Sequence, residues 1–91
     1  MIRVFVLYPE APDPERYAEH VELCRREAPG ATIRHGRVLG SPAGKADLAY
    51  YFEFEFPDRD AWRAAQDGLV RAAEDAQKLG VPFQVYFAEI G

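Results

Sequence analysis

Hydrophobic and polar residues alternate along four short stretches of this chain and recur at three- and four-residue spacing along two longer ones. Residues 2–8 carry β-branched and aromatic side chains on both faces, Val4 and Val6 on one and Phe5 and Leu7 on the other. A strand of that kind is covered on both sides. Pro9 and Pro12 end it, and Asp13-Pro14 supplies an N-cap and a first helical residue. Tyr17, His20, Val21, Cys24 and Ala28 then share one helical face until Pro29-Gly30.

Residues 31–39 read as a second strand, 40–44 as a turn, and Leu48 to Phe56 as a third strand. In that strand Tyr50, Phe52, Phe54 and Phe56 oppose Ala49, Tyr51, Glu53 and Glu55. Asp58 caps a second helix whose stripe runs Trp62, Ala65, Leu69, Ala72, Ala73, Ala76 and Leu79. Gly68 in its interior predicts a bend or break near Asp67-Gly68, because glycine costs a helix about 1 kcal/mol relative to alanine. Residues 83–90 form the last strand, with Phe83, Val85 and Phe87 opposite Gln84, Tyr86 and Ala88.

The order βαββαβ, with right-handed crossovers, predicts an α+β ferredoxin-like domain over residues 1–91: a four-stranded antiparallel sheet with both helices on one face. Val4, Val6, Phe52, Phe54, Val85 and Phe87 are expected beneath the helices. Arg3, Phe5, Leu7, Tyr51, Glu53, Glu55, Gln84, Tyr86 and Ala88 are then left on the other face. That face is too apolar to stay wet and too polar to be ordinary core, which marks an interaction surface. A second copy packed sheet to sheet, enclosing a partly polar pocket, satisfies both features.

Charge narrows the partners. The net charge is −4 and no run of Lys or Arg occurs, so neither nucleic acid nor an anionic membrane surface is expected. An RNA-recognition domain shares the topology, but Glu53 and Glu55 stand where phosphates would pass. No apolar stretch approaches the roughly 20 residues of a membrane span. The start of the chain lacks signal-peptide character. With Cys24 as the sole cysteine, a reducing, cytoplasmic setting is the expectation.

Several segments together resemble the EthD family of the dimeric α/β-barrel superfamily, over nearly the whole chain. They are Val4-Phe5-Val6-Leu7-Tyr8-Pro9, the tyrosine-then-histidine helix Arg16-Tyr17-Ala18-Glu19-His20-Val21, the strand 50–56 followed by Asp60-Ala61-Trp62-Arg63-Ala64-Ala65, and Ala72-Ala73-Glu74-Asp75. The chain departs from the family pattern around Asp67-Gly68, which looks shortened, and at Gln77-Lys78-Leu79, where an Asn-Phe pair is customary. The resemblance implies a homodimeric barrel. Family members are linked to ether and aromatic-compound degradation and to polyketide-like metabolism.

Candidate chemistry is sparse, since the chain has no Asn, one Ser and one Thr. His20, on the apolar helix face and at the position of the family's histidine, is a candidate general acid or base; the alternative is a buried structural histidine. Glu53 is a second candidate proton carrier, because a desolvated carboxylate has a raised pKa; the alternative is a cross-strand ion pair with Arg3. Arg3, Tyr8, Tyr17, His35, Tyr51 and Tyr86 are expected to line a ligand pocket. His20 and Cys24, one turn apart, lack the further ligands of a zinc site, and Cys24 reads as small core. No metal or cofactor is expected. The function classes are a cofactor-independent enzyme acting on a small hydrophobic metabolite and a non-catalytic ligand-binding or accessory dimer.

Overall fold

The computed structural model describes residues 1–91. Its elements are β1 (Ile2–Tyr8), α1 (Pro14–Glu27), β2 (Thr32–Arg37), β3 (Tyr50–Phe56), α2 (Arg59–Ala64), α3 (Gln66–Gln77) and β4 (Gln84–Glu89). The strands form one antiparallel sheet in the order β2-β3-β1-β4. This is the ferredoxin-like α+β arrangement that the order of elements predicts.

Local chemistry sets the helix starts. The Asp13 carboxylate accepts the Arg16 backbone N–H at 3.1 Å, and Asp58 accepts that of Ala61 at 2.8 Å. Each satisfies one of the unpaired amides of a helix N-terminus. The register brings Val4 opposite Phe54 on β3 and Phe87 on β4, and Val6 opposite Phe52 and Val85. Odd-numbered positions of β1 therefore point to one face of the sheet and even-numbered ones to the other. Val4, Val6, Tyr8, Phe52, Phe54 and Phe56 are buried beneath the helices, as are Tyr17, His20, Val21 and Cys24 from α1.

Three expectations change. β1 spans the expected residues, but β2, β3 and β4 are shorter than the sequence pattern indicates: β2 ends at Arg37, and Leu39 is 91% exposed. The second helix does break near Asp67-Gly68, at Ala65, but the glycine is not the cause. The Gln66 side-chain amide donates to the Trp62 carbonyl at 3.0 Å and helps satisfy that end of α2. Gly68 lies inside α3 as a buried contact: a Cβ there would drive into the Glu27 backbone carbonyl of α1. Its missing side chain permits the α1–α3 approach, and it does not bend the helix.

Finally, Val85 and Phe87 face the helix side yet remain 41% and 64% exposed. Helix α3 packs on α1 and is held there by Arg71 Nε donating to Glu27 at 2.6 Å. It therefore leaves β4 open, and Trp62 from α2 meets Phe87 at a ring separation of 5.5 Å.

Candidate functional site

The gap between α3 and β4 is a cavity of about 210 Å³ whose lining is almost wholly apolar. Val70, Val85 and Phe87 form its exposed mouth, while Tyr8, His20 and Cys24 lie at its buried end. Those three are polar groups in a hydrophobic setting, which gives the place its chemical character.

His20 is 4% exposed. Its Nδ1 lies 2.8 Å from Asp75 Oδ2 on α3. A carboxylate oxygen accepts, so Nδ1 carries the proton and donates. Nε2 is then the nitrogen left to accept, and Cys24 Sγ stands 3.5 Å from it. Burial pushes the Cys24 thiol up to about 12, so it remains S–H and is a weak donor to Nε2 rather than a nucleophile. The arrangement is a histidine oriented by a carboxylate, the grouping that lets an imidazole exchange a proton at its far nitrogen.

Tyr8 is fully buried, and its hydroxyl has no hydrogen-bond partner. Burial holds its phenol protonated far above the usual range, reinforced by Tyr17 and Cys24. It is an unused donor in the same cavity as His20. An unpaired buried hydroxyl is costly, so such groups call for an explanation.

Tyr17 meets Tyr8 edge-on at 5.9 Å, and its own buried hydroxyl is likewise unpaired. It lines a separate shallow concavity with His35, Arg37 and Tyr50. His35 stacks on Phe52 at 5.9 Å, and burial, with Arg25, lowers its pKa.

Glu53, Arg3, Tyr51 and Tyr86 lie on the opposite face of the sheet. Arg34 Nη1 donates to Glu53 at 3.0 Å and to Glu55 at 3.2 Å, and Arg3 Nη2 donates to Glu55 at 3.0 Å. Arg3 Nε also pairs with Glu53 at 3.4 Å. The Tyr51 hydroxyl donates to Glu53 at 2.7 Å. Burial, with that carboxylate, pushes the Tyr51 phenol up to about 12. Hydrogen bonds from Arg3 hold Glu55 below the usual carboxylate range. Glu53 is thus enclosed by an ion-pair network that includes Arg3. Beside it, Phe5 stacks on Tyr51 at 6.4 Å and on Tyr86 at 5.6 Å.

The residues expected to line one pocket therefore divide. His20 and Tyr8 share the cavity under the helices, Tyr17 and His35 share its neighbour, and Arg3, Glu53, Tyr51 and Tyr86 stand across the sheet. Within one protomer these sets cannot line a single chamber, because alternate strand positions point to opposite faces. Asp75 was not among the expected site residues. Its signal was a carboxylate on the apolar stripe, three residues after Ala72 and four before Leu79.

No family model matches this chain, and no curated protein matches it. Solved structures do. An EthD family protein from Bacillus halodurans superposes with a TM-score of 0.77 at 23% identity, covering 100% of this chain and 99% of the other. A dimeric ferredoxin-like protein from Thermobifida fusca gives 0.66 at 16% identity, covering 98% and 90%. A DABB family protein with a ferredoxin-like fold, from Mesorhizobium loti, gives 0.64 at 22% identity, covering 99% and 97%. The likeness establishes the ferredoxin-like fold, and the first of these structures carries the family name that the sequence resemblance supplies.

Proposed function

We propose that this chain is an EthD-like domain that works as a homodimer in the cytoplasm and takes a small hydrophobic metabolite, aromatic or polyketide-like, into the cavity between its sheet and α3. His20, oriented by Asp75, serves there as a cofactor-independent acid or base. The observation that carries the reading is the His20–Asp75 hydrogen bond at the buried end of an apolar cavity. The size agrees: a dry apolar cavity of about 150 Å³ takes up benzene, and this one, at about 210 Å³, has room for a substituted ring.

The dimer is assigned to the sheet face opposite the helices. Its charges are already paired within the protomer, two arginines against two glutamates. Burying them against a second copy strands no charge, and the Phe5, Tyr51 and Tyr86 rings supply apolar area. The Thermobifida fusca protein of the same fold is described as dimeric.

The second reading, a non-catalytic binding or accessory dimer, draws support from the depth of His20 and from both its nitrogens having partners. A ligand screen against wild type and His20→Gln separates the two. In the acid–base reading, His20→Gln still binds ligand, weakened several-fold, and loses about 100- to 10,000-fold in turnover once a substrate is found. In the binding-only reading, a ligand binds and no compound in the screen is ever turned over.

A further inference from the structure

At its buried end the cavity holds one unused donor and one acceptor; the other polar side chain of its lining, Gln66, donates its amide nitrogen to the Trp62 carbonyl. The donor is the Tyr8 hydroxyl, fully buried and without a partner. The acceptor is His20 Nε2, since Nδ1–H is committed to Asp75. Nε2 is approached only by the Cys24 thiol at 3.5 Å, and a thiol is a weak donor that a stronger one displaces. No lysine or arginine lines the cavity, while the Asp75 carboxylate stands behind His20. An anionic group brought here would lose its water and gain no countercharge.

We infer that the ligand is uncharged, ring-sized and hydroxyl-bearing, of the phenol or enol class, with its hydroxyl accepting from Tyr8 and donating to His20 Nε2. A hydroxyl is the smallest group that both accepts and donates at one atom. A ketone or ether uses only the Tyr8 donor, and a hydrocarbon leaves Tyr8 unsatisfied and Nε2 with only the weak Cys24 thiol. A site built to bond a hydroxyl rejects the analogue without it, because its own buried groups stay unpaired. This inference rests on the proposed ligand cavity and specifies what that cavity selects.

The test is an NMR-monitored titration of the protein with p-cresol, 4-methylanisole, toluene and p-toluate. In a purely apolar cavity p-cresol binds more weakly than toluene, because its hydroxyl gives up water and gets nothing back. The expected order is reversed: p-cresol at least about tenfold tighter than toluene, 4-methylanisole between them, and no detectable p-toluate. Tyr8→Phe removes a hydroxyl that has no partner, so the variant keeps its fold. In it the p-cresol advantage shrinks several-fold while toluene affinity holds. Toluene binding with p-cresol no tighter overturns the inference and leaves the cavity reading standing. A p-cresol advantage that survives both Tyr8→Phe and His20→Gln also overturns it. If no neutral compound binds at millimolar concentration, the cavity reading fails and takes the inference with it.

Discussion

The Nδ1 of His20 lies 2.8 Å from Asp75 Oδ2, joining α1 to α3 across 55 residues of sequence. This bond fixes which imidazole nitrogen carries the proton, and so leaves Nε2 as the acceptor. The first prediction follows from it. In wild type, nitrogen chemical shifts of His20 should report the Nδ1–H tautomer. In Asp75→Ala that preference should be lost. The truncation also leaves a buried donor without its partner, which should cost about 1–3 kcal/mol in thermal or urea unfolding. A dominant Nδ1–H tautomer in Asp75→Ala would mean that another group orients the ring.

Gly68→Ala provides a test whose sign depends on the tertiary structure. Helix propensity alone favours alanine by about 1 kcal/mol. The added Cβ, however, meets the Glu27 carbonyl on α1, a backbone group with little freedom to retreat. The expected result is destabilisation by about 1–3 kcal/mol or more, as in other overpacked contacts. A variant more stable than wild type would show that α1 and α3 are not in close contact at this point.

Cys24 offers a probe of packing. It is 0% exposed, and its thiol pKa is pushed up to about 12. Its thiolate fraction at pH 8 is therefore very small, and it lies at the buried end of a cavity of about 210 Å³, too small to admit a bulky dye. A thiol-reactive dye should label the native protein far more slowly than the urea-unfolded protein. Equal rates would show that α1 opens readily.

Phe54→Ala tests the face assignment of β3. The side chain is 4% exposed between sheet and helices and lies 5.0 Å ring to ring from Phe52. Its loss should cost about 3–5 kcal/mol, enough to unfold a large share of a domain this small. The check is the urea midpoint, with circular dichroism to report any fold that remains.

These cases show what the chain discloses by itself. The faces of β1 and β3 were legible because a two-residue period leaves few choices: Val4 and Phe54 go one way, Phe5 and Glu53 the other. Both aspartate caps were legible for the same local reason. The role of Gly68 was not, because it depends on how closely a distant helix approaches. The exposure of Val85 and Phe87 was not legible either, since periodicity assigns a residue to a face without saying whether anything covers that face. The site divided along the same line. His20 stood out as an ionisable residue on an apolar stripe, whereas Asp75 became its partner only once α1 and α3 were brought together.

The last prediction concerns the uncovered sheet face. Phe5 sits at its centre, stacked between Tyr51 and Tyr86 and opposite Glu53 in register. In the proposed dimer this ring packs against the second copy. Light scattering at micromolar concentration should give about twice the 10.3 kDa chain mass. Phe5→Glu places a third carboxylate beside Glu53 and Glu55, which Arg3 and Arg34 already occupy. That charge is tolerable in water and unpaired in a buried interface. The variant should therefore remain folded by circular dichroism and run as a monomer. Glu55 adds a pH dependence of known sign. Its carboxyl is held low by Arg3, so its contribution is present above the unfolded-state carboxylate range and is lost as pH falls through the lower, folded value. Acidification should weaken the ion-pair network in that window, and the dimer with it if the network lies in the interface. A wild-type mass of one chain at micromolar concentration would remove the dimer. A dimeric Phe5→Glu would move the interface to another surface, with the open edge of β4 next to be tested.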